Sequence, residues 1–464
     1  INAEYMGWWK ETHHLLLPAD LSQSHKLQIY RNSISIVERL EIPLISMGSL
    51  QPEKSEKLSL DKNACDIIQK AVRVILEGLG EDLNREGLKK TPLRVAKAFL
   101  ECASGSLENP KDIVEGAIFS ESANGLVNVQ GLHHFSLCES CLLPFRVTCH
   151  VSYLPKDGSV VGLSKLSRVS SVFAKRLQDP QRLADEICSA FYNELNSTAV
   201  GVVLQCQHIK FPNMDSLLMD PETDPWVRKC TRAGSGLFQD ETSSLWDDFL
   251  WHLKLGGNDV HFPSNPPFCS PQMSLSPSKS DMIFAVGSII RALGENPSRK
   301  ELLETPKRFV GWLNNFNNFN LEIKLNSPVK DALQESKDHL HCESNLALWS
   351  QCEHHLLPFF GKVHICLYVR EGSSLRGRSL LQSIVHFYGF KLQVQERLTS
   401  QIAKTIGSVV DDVLVVVEAQ HMCMMCRGVR QIGSKTVSEV RLGRFVTDNG
   451  AQNAAWNCII SAAH

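Results

Sequence analysis

Apolar positions first take a helical spacing at Asp61. Ile67, Ile68, Ala71, Val72, Ile75, Leu76 and Leu79 fall on one stripe, and Gly80 ends it. Thr91-Pro92, a capping residue followed by the imino acid suited to a first helical turn, opens a second helix over residues 93–103. The period then changes. Phe145, Val147, Cys149, Val151 and Tyr153 alternate as one face of a strand. Residues 183–195 are helical again, and 199–206 read as a strand. From about residue 213 the pattern breaks into Pro, Ser, Asp and Gly around an aromatic island at 246–251, which predicts a linker with one short helix.

The pattern then starts again. Residues 282–293 are helical, with Ile283, Val286, Ile289 and Ile290 inward, and Val363, Ile365, Leu367 and Val369 repeat the alternating strand. Thr305-Pro306-Lys307-Arg308 echoes Thr91-Pro92-Leu93-Arg94, Cys352-Glu353-His354-His355 echoes Cys138-Glu139-Ser140-Cys141, and His421 echoes His208. The offsets are 308 − 94 = 214, 352 − 138 = 214 and 421 − 208 = 213, as a tandem duplication requires. The reading is therefore an extension over 1–60, a first domain over 61–215, a linker over 216–277 and a second domain over 278–464.

Composition narrows this little. The 464 residues allow two or three domains with ample cores. A net charge of −2 gives no reason to expect nucleic acid or an anionic membrane surface as partner, and no apolar run reaches the length of a membrane span. Fifteen scattered cysteines, an odd number, fit a reducing, cytoplasmic setting. Residues 1–60 have no clear period and carry several acidic side chains. They read as a poorly ordered extension, not an organellar transit peptide.

The chemistry concentrates at Cys352-Glu353-His354-His355. Cys352 and His355, three apart, can face one cation from a single turn. A buried strand over 413–417 leads to His421-Met422-Cys423, and alternation at its end puts His421 and Cys423 on one face. Alone, either motif is more often packing than metal. Together, Cys352, His355 and Cys423 form a two-thiolate, one-imidazole set that leaves the fourth zinc position open, as catalytic sites do. His354 and His421 stand beside the ligands as proton carriers.

The halves differ where the chemistry lies. In Gly162-Leu163-Ser164-Lys165-Leu166-Ser167-Arg168, two cations and a hydroxyl can converge on an anion at a helix start, although by itself this is an ordinary basic turn. The matching stretch 377–383 lacks both charges in register. Conversely, Val394-Gln395-Glu396-Arg397-Leu398 has a carboxylate where the first half has Gln181. Ser140 and Cys141 replace His354 and His355, and Lys210, a poor zinc ligand, stands at the place of Cys423. No catalytic zinc is expected in the first half. Cys138 and Cys141 could still bind metal or pair there, but they read first as packed thiols, and the chain should hold about one zinc.

Cys352-Glu353-His354-His355, Gly162-Leu163-Ser164-Lys165, Gln395-Glu396-Arg397-Leu398, and His421-x-Cys423 followed by Arg427-Gly428-x-Arg430 together resemble the motif set of the GTP cyclohydrolase I family. Their division over two halves is similar to its plant type. The resemblance implies an α+β architecture of tandem tunnelling-fold domains. Each would have an antiparallel four-stranded sheet with helices on one face, preceded by a helical part. It implies a homo-oligomer with active sites between neighbouring subunits, and hydrolysis of GTP to 7,8-dihydroneopterin triphosphate and formate in pterin and folate synthesis. Carried over, Cys352, His355 and Cys423 are the zinc ligands, and His354, His421 and His208 the catalytic histidines. Glu396, flanked by Gln395, receives guanine N–H groups, and Ser164, Lys165, Arg168, Arg427, Arg94 and Arg308 contact triphosphate and ribose. Because neither half holds a full set, the working site is expected to be composite. Two competing readings are a zinc-stapled, non-catalytic nucleotide-binding protein and another tunnelling-fold enzyme acting on a different pterin or purine. The intact metal set and Glu396 argue against the first, and the two histidines with the phosphate contacts argue against the second.

Overall fold

The computed structural model describes residues 54–121, 125–195, 197–210, 224–262, 268–269, 280–316, 339–369, 377–428 and 430–463. The extension over 1–60 thus lies almost wholly outside the described residues. The chain divides into two compact units, residues 1–210 with 226–311 and residues 211–225 with 312–464.

The first unit opens with helix α1 (Lys54–Gly78), whose Ile68, Ala71, Val72, Ile75 and Leu76 are fully buried, as the stripe predicts. Helix α2 (Thr91–Cys102) begins at Thr91 itself. Lys90 is its N-cap, and the Thr91 hydroxyl turns back to donate to Gly87 O at 3.2 Å, so Thr91 is not the cap. After α3 (Pro110–Val114) and β1 (Ile118–Ser120) come β2 (Val127–Cys138), β3 (Pro144–Pro155) and β4 (Ser159–Val161). Then follow α4 (Leu163–Ala174), β5 (Leu177–Gln178), α5 (Pro180–Glu194) and β6 (Ser197–Ile209). The sheet order is β5-β2-β3-β6-β7, where β7 is Trp226–Gly236. Only the two-residue edge strand β5 is parallel to its neighbour; the other pairs are antiparallel.

Strand β7 corrects the linker reading. Residues 226–236 pair with β6 along its whole length, and α6 (Ser244–Leu255) follows. Trp246, Phe249 and Leu253 of α6 pack with Ala199, Val203 and Phe238, and the Trp246 indole N–H donates to Phe238 O at 3.0 Å. The aromatic island is thus part of the first unit's core. By its contacts the helical part that opens the second repeat lies in this unit. Helix α7 (Ser280–Ala292) packs along α1, where a Cβ on Gly78 would lie 2.5 Å from Met282 Cγ. The boundary between units falls within α8 (Thr305–Asn315).

The second unit repeats the plan. Its elements are β8 (His339–Cys352), β9 (Leu357–Val369), α9 (Arg378–Gly389), β10 (Leu392–Gln393), α10 (Gln395–Gly407), β11 (Val413–His421), α11 (Met422–Met425), β12 (Thr436–Leu442), α12 (Arg444–Thr447) and α13 (Asn449–Ala463). The sheet order β10-β8-β9-β11-β12 matches the first. One face carries α9 and α10: Leu381, Ile384, Leu398, Ile402 and Ile406 pack on Val363, Ile365, Val413 and Val415. On the other face α13 covers Cys366, Leu414 and Val416. Cys342 and Cys366, directly opposed on β8 and β9, are joined as a disulfide, which the expectation of reduced thiols did not foresee. Both sheets bulge at the same place, with Gly131 and Asn345 in left-handed backbone, residue types that tolerate it. No helix among the described residues is long and apolar enough to cross a membrane.

Candidate active site

Strand β8 ends at Cys352, and the chain turns through residues 353–356 before β9 begins. The turn closes tightly: Leu356 N–H donates to Cys352 O at 2.9 Å, and Leu356 takes a φ of 52°, a strained value for a branched side chain. This turn brings His355 Nδ1 to 3.8 Å from Cys352 Sγ. Cys423 arrives from the other side. It lies in the helical turn α11 directly after β11, not on the strand as alternation suggested, because the extended backbone ends at His421. The ligand atoms of Cys352, His355 and Cys423 all lie within 4.8 Å of one another. The Cys423 thiol donates to Cys352 and holds the Cys352 thiol well below its usual range despite burial, and Cys423 is raised in turn. Two thiols and an imidazole within this reach fit zinc.

His421 is held by Gln395. The Gln395 side chain, buried at the start of α10, directs Nε2 at Val417 O and Thr436 O, both at 3.0 Å, and at Ser438 Oγ at 3.1 Å. Carbonyls only accept, so the amide orientation is fixed and Oε1 faces His421 Nε2 at 2.8 Å. His421 therefore carries its proton on Nε2 and keeps its lone pair on Nδ1. Phe359 stacks on the ring at 4.6 Å. Burial lowers the pKa of His421, partly offset by the charges of Cys352 and Glu396, so the ring is neutral near pH 7. The Gln395 side chain thus turns inward onto β11, β12 and His421. His354 is half-exposed, with Nε2 3.8 Å from Glu353 Oε1.

Arg427 donates from Nη1 to His355 Nε2 at 2.8 Å. Because a guanidinium only donates, Nε2 accepts here and the ring proton sits on Nδ1. A metal bound through either nitrogen requires Arg427 to leave. It would displace Arg427 from Nε2 directly, or it would take Nδ1 and move the proton to Nε2. Either way the Arg427–His355 hydrogen bond is broken.

Sequence reasoning missed Glu353. It is almost fully buried, and Arg397 Nη2 donates to its Oε2 at 2.6 Å, tying the ligand turn to the helix that carries exposed Glu396. The first unit has the same clamp, Arg182 Nη1 to Glu139 Oε2 at 2.9 Å. The signal was available: the Glu survives in both Cys-Glu motifs while the residues after it change.

In the first unit, Gly162 caps α4, placing Ser164 and Arg168 exposed and Lys165 half-buried in its opening turns. Gly377 caps α9 in the same way, which fixes the register: Leu380 stands for Lys165 and Ser383 for Arg168. Arg378 does not substitute for them, since it is spent on Glu343 Oε2 and on the carbonyls of Ser344 and Asn345. Arg94 is half-buried on α2. Arg308, also half-buried, lies where its charge acts on Cys269. His208 is fully buried, with Nε2 3.2 Å from Cys141 Sγ.

Two tandem sheet-and-helix units, one carrying a Cys–His–Cys set flanked by imidazoles, define a tandem tunnelling-fold protein with a metal centre. The family model of GTP cyclohydrolase I matches residues 68–243 and again 282–459, and the chain belongs to the GTP cyclohydrolase I family. It is 50% identical over 407 residues to a GTP cyclohydrolase 1 of Solanum lycopersicum, covering 82% of this chain and 89% of that one. A GTP cyclohydrolase 1 of Arabidopsis thaliana is 49% identical over 412 residues, covering 83% and 88%. That of Dictyostelium discoideum is 36% identical over 197 residues, covering 42% of this chain but 82% of its own, as a single copy of the repeat would.

Proposed function

We propose that this chain hydrolyses GTP to 7,8-dihydroneopterin triphosphate and formate. The observation that carries the reading is the second unit's Cys352, His355 and Cys423 set beside a neutral His421 of fixed tautomer. These three side chains would hold zinc, one ion at this centre. When bound, zinc supplies a Lewis acid that makes water nucleophilic near neutral pH.

The chain's own residues do the rest. His421 takes and returns a proton at Nδ1, while Gln395 keeps Nε2–H committed. Half-exposed His354 serves as the second proton carrier. Glu396, exposed at the first turn of α10, accepts from the guanine N–H edge, and a carboxylate's paired oxygens suit that edge. Ser164, Lys165 and Arg168 at the start of α4 hold the triphosphate, with Arg427, once released from His355, and Arg94. Each unit supplies what the other lacks. The reading includes a homo-oligomer, consistent with edge strand β12 ending its sheet with Val437 exposed, and a cytoplasmic setting, with the ligand thiols free. The test is incubation of zinc-replete protein with GTP, scoring formate and a pterin that fluoresces after oxidation. Folded, zinc-loaded protein that releases no formate would overturn the reading.

A further inference from the structure

The geometry points to a second metal site in this chain: a closed, four-ligand zinc site in the first unit, made by Cys138, Cys141, His208 and Cys269. The ligand atoms of these four side chains lie within 4.8 Å of one another. Zinc bonds of about 2.3 Å to sulfur and about 2.0 Å to nitrogen set tetrahedral ligand atoms roughly 3.5–3.8 Å apart. The cluster needs only a small inward movement to close on an ion.

The imidazole is preset for this. His208 Nδ1 lies 2.7 Å from Ile209 O, an acceptor, so Nδ1 carries the proton. The lone pair is then on Nε2, which faces Cys141 Sγ at 3.2 Å. A ligand histidine whose other nitrogen donates to a backbone carbonyl is the usual arrangement around metals. The Cys138–Cys141 turn is built as its metal-type counterpart is: Leu142 N–H donates to Cys138 O at 2.8 Å, and Leu142 has a φ of 58°.

The third thiol comes from a segment with no part in the duplicated motifs. Lys210, at the place of Cys423, is exposed and contributes nothing to the cluster. Cys269 enters in its stead, and its neighbour Phe268 packs edge-on against His208 at 5.3 Å and Phe145 at 5.2 Å, lidding the cluster with aromatic surface. Cys138, Cys141 and Cys269 are all free thiols. A disulfide would use two of the three, whereas a zinc ion uses all three and the histidine. Three thiolates on a divalent ion leave one net negative charge, and Arg308 is placed to offset it. With four protein ligands no position stays open, so the ion staples the residue 268–269 segment to the sheet and takes no part in turnover. This raises the expected zinc content from one to two per chain, and it makes His208 a ligand instead of a proton carrier. It holds whatever reaction the second unit runs.

The test uses full-length protein purified under reducing conditions. The parent should contain about two zinc ions per chain, Cys352→Ser/Cys423→Ser about one, and the same chain with Cys269→Ser added close to none. Cobalt in Cys352→Ser/Cys423→Ser should give thiolate-to-cobalt charge transfer and tetrahedral visible bands, both lost with Cys269→Ser. If Cys269→Ser fails to fold, alkylation of Cys352→Ser/Cys423→Ser replaces it: Cys138, Cys141 and Cys269 should be labelled only after chelation. A folded Cys352→Ser/Cys423→Ser chain that binds neither metal, labelling of the three thiols without chelation, or a zinc content unmoved by Cys269→Ser overturns the proposal.

Discussion

Gln395→Leu separates the positioning of a proton carrier from the metal itself. The substitution is close to isosteric in a fully buried place, so it removes four polar contacts without opening a large cavity. Two backbone carbonyls and a hydroxyl lose a donor, which should cost about 1–3 kcal/mol of stability. For catalysis the larger effect is on His421. Its Nε2–H loses its acceptor, so the ring no longer favours the tautomer with a free Nδ1, and stacking on Phe359 alone does not fix which nitrogen faces the substrate. Loss of such an orienting partner typically costs about 10–100-fold in activity. That is less than the roughly 10²–10⁴-fold loss expected when the acid–base group itself is removed.

The assay is kcat and KM for GTP alongside zinc content and urea unfolding. The expected result is a kcat down about 10–100-fold, with zinc content and KM near the parent's, because the Gln395 side chain is committed to Val417, Thr436, Ser438 and His421. Gln395→Glu supplies the readout that a purely structural role would not move. Its carboxylate still accepts from Nε2–H but adds negative charge beside the ring, so the acid limb of the pH–rate profile should shift upward. A Gln395→Leu chain with full zinc and a kcat within about twofold of the parent would refute the assignment of His421 as an oriented proton carrier.

Three further outcomes follow from individual contacts. Lys165→Ala removes a charge-assisted donor worth ~1.5–3 kcal/mol, so KM for GTP should rise about 10–150-fold at unchanged zinc content; an unchanged KM removes Lys165 from the phosphate cradle. Arg427→Ala should hold zinc at least as tightly as the parent while KM rises, since metal binding at His355 requires Arg427 to leave; loss of zinc would show Arg427 to be a support of the ligand. His386 is buried, and Gln382 Nε2, which also donates to Ala347 O, points a donor at its Nε2, so burial pushes its pKa from 6.5 down to about 4. The folded state holds fewer protons, so this contribution is complete above pH 6.5 and is lost as pH falls toward about 4. Unfolding free energy should drop by up to about 3 kcal/mol more in the parent than in His386→Leu across that window, and equal slopes would refute it.

The duplication was legible because it rests on spacing, and the alternating positions of β3, β6, β9 and β11 were legible because strands buried on the helix-covered face are strongly apolar. Strand β7 was not. Its residues are mostly half-buried and mix Arg, Lys, Thr and Gly, so no period of two stands out, and only pairing with β6 makes it a strand. Cys352 and His355 could be joined on paper because one turn holds them. Cys269 could not be joined to Cys141, because 269 − 141 = 128 residues separate them and only tertiary structure closes that gap. The direction of Gln395 was hidden for a similar reason: its acceptors lie on β11 and β12, and no local pattern reports them.

The two units place a Cys/His cluster at the same point of one scaffold, and the proposed ions would make one site open and the other closed. The turn after β2 and the turn after β8 share a left-handed leucine, a backbone bond from that leucine to the first cysteine, and a buried Glu clamped by an Arg from the second helix that follows, α5 or α10. In both, a Phe and a His sit paired on adjacent strands, Phe145 with His208 and Phe359 with His421. These common parts fix two ligand positions and one imidazole near them, and they decide nothing about catalysis. The decision lies in what the imidazole faces. In the second unit Gln395 takes Nε2–H and keeps His421 off the ligand set, so its three protein ligands would leave a bound zinc one position for water. In the first unit proline occupies the place of Gln395 at the helix start, the backbone of Ile209 takes Nδ1–H, and Nε2 turns onto the thiols. With the glutamine gone and Cys269 supplied from outside the repeat, the same histidine position becomes a fourth ligand, and the site that could have activated water is closed to it.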